Sequence, residues 1–243
     1  MTARSFGIPA LDDRELVETI ARTVAALGYS RLWINDTPMA DGILAASWAA
    51  PIIPVGIGVI PIDRRPPDVL LPAIRDAGLA ERDLMLGIGA GFSDSPVADV
   101  RRAIASLRDE MPELRIALAA MGPVMCRTAG AVADLALLNW MTPQRIEWAR
   151  GKVGATPAAA YVRVATGVGA AERIDAEAAS YAQMPHYFRH FEAMGGSRGV
   201  GVSGDFDTEL AAYDSVLDET VVRALPMSLS ISALAPIAEV GAP

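Results

Sequence analysis

The chain has 243 residues, 52% of them hydrophobic and 21% charged, with a formal net charge of −8. That apolar content excludes a disordered chain, and the lone Cys126 excludes an intrachain disulfide or a multi-cysteine zinc site. All basic residues but Lys152 are arginine, and none form a block long enough to follow a phosphate backbone, so nucleic acid is not an expected partner.

The N-terminus carries Arg4 and then Asp12, Asp13 and Glu15 without a sustained apolar core, so a cytoplasmic protein is expected. The first strand is predicted at Ser5–Ile8. A helix follows, with Leu16, Ile20, Thr23, Val24 and Leu27 on one face and Gly28 as its stop. Further strands are predicted at Arg31–Ile34 and Val55–Ile60. The second of these lies in Pro51–Ile62, the longest uncharged apolar stretch; its prolines and glycines prevent it from crossing a bilayer as a helix, so no membrane partner is expected. Strands then recur at Leu84–Ile88, Arg115–Ala119, Leu135–Leu138, Tyr161–Ala165 and Glu219–Leu225. Between the last two lie helical runs at Ala171–Ala182, Pro185–Met194 and Asp207–Leu217, the last two separated by a glycine-rich break, and a final helix is expected at Ser228–Glu239. Eight βα units recurring at about 30 residues close a barrel, so the expected fold is a single (β/α)8 TIM-type barrel forming one domain over residues 1–243.

In such a barrel the residues just past the strands face one cavity. Four junctions stand out: Asn35-Asp36-Thr37-Pro38; Gly58-Val59-Ile60-Pro61 with Asp63-Arg64-Arg65; Gly87-Ile88-Gly89-Ala90-Gly91-Phe92; and Ala120-Met121-Gly122-Pro123. Asp36 is the candidate for proton transfer or for a hydrogen bond to a cofactor ring, with capping of the next loop as the plainer role. Arg64 and Arg65 either pair with Asp63 and Asp68 or form a positive rim suited to phosphate or carboxylates. The alternating glycines match neither a dinucleotide fingerprint nor a P-loop; they either turn the strand or let a flat ring approach the backbone. Gly122-Pro123 opens a helix whose free amides suit an anion. His186 and His190 have a helical i, i+4 spacing, but without a third ligand no metal site is expected. Asp205-x-Asp207-x-Glu209 begins like a calcium loop, yet Leu210 and Val216 occupy its glycine and glutamate positions.

The run from Ala119 to Asp134, AAMGPVMCRTAGAVAD, continues through Leu137-Leu138-Asn139-Trp140-Met141-Thr142-Pro143. With Leu27-Gly28-Tyr29 before Leu32-Trp33-Ile34, the runs Val55–Pro61 and Leu86–Gly91, and Met184-Pro185-His186-Tyr187 with Met194-Gly195, it resembles the bacterial luciferase-like superfamily of flavin- and deazaflavin-dependent oxidoreductases. The resemblance implies a cofactor ring lying across Asp36, Gly58, Val59, Ile60, Gly89, Ala90 and Gly91, with its phosphate near Ala120, Met121, Gly122, Pro123 and Met125. It also implies a bulge with a non-prolyl cis peptide at Gly58–Val59, and a homodimer. Two features depart from the family: Phe92–Leu114 holds one helix where a larger insertion is common, and Thr37 stands where several deazaflavin dehydrogenases have a histidine.

The sequence thus points to an oxidoreductase moving a hydride between coenzyme F420 and a small organic substrate. F420 is favoured over FMN because Arg64 and Arg65 suit the carboxylates of its lactyl-glutamate tail. The alternatives are an FMN-dependent monooxygenase of the same superfamily and a non-catalytic cofactor-binding relative. A Schiff-base aldolase ranks last, because no lysine stands at a strand end.

Overall fold

The computed structural model describes residues 2–243. The chain begins with β1 (Ala3–Pro9), α1 (Arg14–Ala26), β2 (Leu32–Asn35), α2 (Gly42–Ala49), β3 (Val55–Pro61), α3 (Pro67–Asp76), β4 (Leu84–Gly89) and α4 (Pro96–Glu110). It continues with β5 (Arg115–Ala120), α5 (Pro123–Val132), β6 (Leu135–Asn139), α6 (Pro143–Val153) and β7 (Ala158–Val164). Then come α7 (Ala170–Tyr181), α8 (Pro185–Glu192), α9 (Phe206–Asp214), β8 (Glu219–Ala224) and α10 (Ile231–Val240). The eight strands form a closed parallel barrel in sequence order, and β1 closes on β8 from Ala3 opposite Glu219 to Gly7 opposite Arg223. This is the (β/α)8 barrel expected from the strand periodicity.

Alternation along each strand divides the apolar residues into two cores. Trp33, Met85, Ala117, Leu137, Tyr161 and Val221 fill the barrel interior. Their neighbours Ile34, Leu86, Leu118, Leu138, Val162 and Val222 pack outward against the helices. On α1 the buried stripe is Val17, Ile20, Ala21 and Val24. Leu16, Thr23 and Leu27 are only half-buried, so the helix is turned slightly from the face expected. Asp13 starts it by accepting the Leu16 amide at 3.0 Å.

Strand ends agree with expectation to within a few residues, except that β7 begins at Ala158 rather than Tyr161. Three successive alanines carry little strand propensity, and pairing on both sides with β6 and β8 overrides it. The last helix starts at Ile231, three residues later than expected. The β3–β4 register shifts between Ile57 and Ile60, and the Gly58–Val59 peptide is cis, the irregularity that the resemblance implied. Among the described residues no helix is long and apolar enough to cross a membrane.

Candidate active site

The C-terminal mouth of the barrel has two unlike halves. Over β2–β5 it is apolar and glycine-lined. A Cβ on Gly58 would run into the Tyr161 hydroxyl, and one on Gly87 would run into the Ile57 carbonyl oxygen and lie 3.2 Å from Gly58 Cα. Gly89 faces inward, its Cβ position 3.0 Å from Val59 Cγ2 and 3.7 Å from Ala119 Cβ. Gly91 has φ +62°, and a Cβ there would strike the Asp63 carboxylate, which also accepts the Phe92 amide at 2.8 Å. Both sequence readings of the glycines therefore apply to different residues. Gly91 makes the turn, whereas Gly87 and Gly89 keep the floor flat.

Two side chains converge on the Gly58 carbonyl oxygen at the bulge: Tyr161 Oη donates to it at 3.1 Å, and Asn35 Nδ2 donates as well. Burial pushes the Tyr161 hydroxyl far above its usual range, so it stays a donor. Asn35 Oδ1, at the mouth end of β2, is buried and unpartnered. Val59 also packs with the interior core, whereas Ile60 and Ala120 turn their side chains into the helix layer and offer the mouth only backbone.

The structure pairs the three charged residues expected at the rim, Asp36, Arg64 and Arg65. The Asp36 side chain is fully buried; it accepts the Gly42 amide at 2.8 Å and forms an ion pair with Arg64. Arg65 makes two hydrogen bonds, at 3.1 and 2.9 Å, to Asp41, which caps α2 by accepting the Ile43 and Leu44 amides. The rim arginines thus hold Asp36 and Asp41 rather than Asp63 and Asp68, and Arg64 keeps further donors free at about one-third exposure. Gly122 and Pro123 lie exposed at the uncapped start of α5, while Met121 and Met125 pack partly against the core and Ala90 is half-buried. Cys126 is buried and its thiol is pushed up to about 11, mainly by desolvation, so it is a core residue.

Asp41 yields a first prediction. Burial raises its carboxyl pKa, but the Arg65 hydrogen bonds and the helix amides lower it by more, leaving it below the ordinary value. A depressed carboxylate contributes stability above the unfolded pKa of about 4 and loses it as pH falls through the folded value. Asp41→Ala is therefore expected to cost about 1 kcal/mol at pH 7 in urea unfolding. The gap to the wild type should close progressively below about pH 4; a gap that persists unchanged at acid pH would rule the cap out as its source.

The other half of the mouth, over β6–β8, is polar, and the sequence reading missed it. Asn139, Arg163 and Arg223 alternate inward beyond Leu137, Tyr161 and Val221, and Arg163 stands directly opposite Arg223 in the β7–β8 register. Arg163 is 4% exposed; its Nε donates to Glu177 at 3.4 Å, its Nη1 donates to Asn139 Oδ1, and its guanidinium lies 3.8 Å from the Trp140 ring centroid. Trp140 itself has φ +55°, rare for a bulky residue, and is clamped by Tyr181, Phe191 and Arg163. The α8 segment roofs this side. Asn139 Nδ2 donates to Tyr187 Oη at 3.3 Å, and burial pushes the Tyr187 hydroxyl up to about 12. His190, its pKa lowered mainly by burial, is neutral and bonds the Trp140 carbonyl through Nε2 at 2.8 Å. His186 packs beside the Phe92 and Tyr187 rings. No group of three or more His, Cys, Asp or Glu gathers as a metal site among the described residues.

Among the described residues nine large apolar side chains are exposed, and seven of them lie in segments that follow strands at this end: Met39, Phe92, Val124, Val168, Phe188, Met227 and Leu229. Such clustering marks a surface that receives something apolar.

No family model matches the sequence, and no curated protein does either. Among solved structures, the barrel superposes on the coenzyme F420 dependent tetrahydromethanopterin reductase from Methanopyrus kandleri with a TM-score of 0.76 at 16% identity, covering 98% of this chain and 97% of that one. An F420-dependent secondary alcohol dehydrogenase in complex with an F420-acetone adduct matches at 0.70 and 12% identity over 98% and 99%. The oxygenating constituent of 3,6-diketocamphane monooxygenase from Pseudomonas putida, in complex with FMN, matches at 0.65 and 13% identity over 99% and 97%. At these identities the likeness is one of fold, and it agrees with the resemblance read from the sequence.

Proposed function

We propose that this chain is an oxidoreductase of the luciferase-like type that takes a deazaflavin or flavin in the β2–β5 half of the mouth. The observation that carries this reading is the flat glycine floor beside the buried, unpartnered Asn35 Oδ1, ringed by exposed apolar side chains. A large planar ring with N–H groups fits that combination, because it covers apolar surface while giving the orphaned acceptor a donor. Solved structures of the same fold include enzymes named for F420 and one bound to FMN.

When bound, the cofactor supplies the hydride chemistry; the protein supplies position, electrostatics and exclusion of water. Gly58, Val59, Ile60, Gly89, Ala90 and Gly91 would support the ring, and the amides behind Gly122 and Pro123, with Ala120, Met121 and Met125 around them, would hold its phosphate. Tyr161 and Asn35 fix the bulge by donating to the Gly58 carbonyl oxygen. Asp36 acts through Arg64, orienting its guanidinium at the rim; a role as proton acceptor requires that ion pair to open. Phe92, Met39 and Met227 are placed to shed water as ligands enter.

F420 is the preferred cofactor, because Arg64 retains free donors for the carboxylates of its tail, where FMN has none to offer. The test is a fluorescence titration of the purified protein with each cofactor. Saturable F420 binding, weakened about tenfold in Arg64→Ala through loss of one charge-assisted hydrogen bond, is expected. Tight FMN binding indifferent to Arg64 would move the assignment to a monooxygenase, and binding of neither would leave a non-catalytic relative.

The same reading includes a homodimer. Among the described residues Leu44 on α2 and Val69 on α3 are two further exposed large apolar side chains, both in the first turns of helices of the outer layer, and they mark the face for a second copy. Light scattering at micromolar concentration is expected to give twice the chain mass, falling to one chain mass in Leu44→Glu; a wild-type monomer would remove this part of the proposal.

A further inference from the structure

Arg223, at the mouth end of β8, has no carboxylate bonded to it among the described residues. Its one hydrogen bond runs from Nη1 to the Ala224 carbonyl oxygen at 2.5 Å, and it forms no ion pair among the described residues. The stem lies over the adjacent strand β1, its Cδ 3.3 Å from the position of a Cβ on Gly7, its partner in the β1–β8 register. Directly opposite in the register, Arg163 uses the nearby Glu177. Glu219, the carboxylate on β8, lies two inward positions deeper, below Val221, and is occupied by Trp33 Nε1 at 2.6 Å and Ser5 Oγ at 2.5 Å.

Two arginines therefore stand opposite each other at the polar side of the mouth, and only Arg163 is bonded to a carboxylate, Glu177. Burial first, and then the neighbouring Arg163, work against the Arg223 charge, while Glu177, Tyr181 and Tyr161 offset part of this without bonding it. Arg223 is half-buried, so its charge is partly withdrawn from water without a bonded counter-ion, an arrangement that pairing with an anion would relieve. The free edge of a guanidinium is a planar fork that matches a carboxylate with two parallel hydrogen bonds. Aromatic groups stand close by: Tyr187 is bonded to Asn139, and Tyr161 lies one inward layer below Arg163.

We infer that Arg223, steadied by the Arg163–Glu177–Asn139 cluster, is the subsite for a carboxylate carried by the substrate, so that the enzyme acts on small organic acids with an apolar body. This rests on the oxidoreductase reading above and assigns the two halves of the mouth: cofactor over β2–β5, substrate acid group over β6–β8.

Calorimetric titrations of the full chain without added cofactor, using butanoate and benzoate against butanamide and benzamide, test it. The carboxylates are expected to bind at least tenfold more tightly than their amides. That preference should be lost in Arg223→Met and partly kept in Arg223→Lys, which retains the charge but not the fork. A cooperative thermal transition and a wild-type circular dichroism spectrum establish that each variant is folded. Carboxylates binding no better than amides, or a preference that survives Arg223→Met, would overturn the assignment. So would an Arg223→Met variant whose only defect is weaker F420 or FMN binding, which would give the cation to the cofactor instead. Because the acids are titrated without cofactor, failure of the oxidoreductase reading appears separately, as absence of binding in the cofactor titration.

Discussion

Gly87→Ala is expected to destabilise the barrel by about 3 kcal/mol, the upper end for forcing an extra methyl group into a packed core. The new Cβ would meet the Ile57 carbonyl oxygen, with Gly58 Cα and Val59 Cγ1 each 3.2 Å away, so it is backbone that must give. Those atoms belong to the bulge where β3 changes register against β4. A shift there displaces the Gly58 carbonyl oxygen, the acceptor shared by Tyr161 and Asn35, and with it the floor of the site. Cofactor affinity should therefore fall more than tenfold even where the variant folds. Gly89→Ala is the matched comparison. Its Cβ meets the end of the Val59 side chain at 3.0 Å, which can rotate away, so stability should change by less than about 1 kcal/mol while the methyl group still intrudes on the floor and weakens cofactor binding. Urea unfolding and cofactor titration of both variants separate the two effects. Equal stability losses would show that the bulge is not what makes Gly87 irreplaceable.

The contrast between these glycines shows what the sequence made legible. A glycine at every second position after a strand marks a floor without large side chains, and the alternation of apolar runs gave the barrel and most strand ends. It did not show which glycine faces a carbonyl and which a side chain, since that depends on the neighbouring strand. Long-range pairing hid the same kind of information at the rim. Asp36 and Arg64 are 28 positions apart and Asp41 and Arg65 are 24 apart, so proximity along the chain pointed instead to Asp63 and Asp68.

Arg163 and Arg223 were hidden for another reason. Each sits inside a run of valine and alanine that reads as a buried strand, and the charge looks like an interruption. Extending the period-two pattern from Tyr161 and Val221 places both arginines inward at the C-terminal end, where a buried charge in a parallel barrel signals function rather than packing. Asn139 follows from Leu137 by the same step, and Asn35 from Trp33. Thus the apolar half of the mouth was readable as motif, while the polar half required the register.

Trp33→Ala should be the most destabilising of the changes considered, costing about 3–5 kcal/mol through lost burial and a cavity in the barrel interior. Trp33 is fully buried, stacks edge-on to Tyr161 at 6.1 Å between centroids, and fills the space that Gly56 and Gly58 leave open. Packing is only part of its contribution, because its Nε1–H donates to Glu219 at 2.6 Å inside the barrel. Trp33→Phe keeps most of the ring but strips that donor, leaving the carboxylate with Ser5 as its side-chain partner. A loss of about 1.5–3 kcal/mol is expected from this change. If the hydrogen bond is the source, the loss should shrink when Glu219→Gln is already present, with a coupling of about 1 kcal/mol or more in a double-mutant cycle. Urea unfolding followed by circular dichroism, with an unchanged denaturant slope, provides the measurement. Additive losses would reduce Trp33 to a space-filler. Strong coupling would instead mean that the barrel interior is tied across from β2 to β8 by a charged hydrogen bond below the mouth, holding in register the strands that carry Asn35 and Arg223.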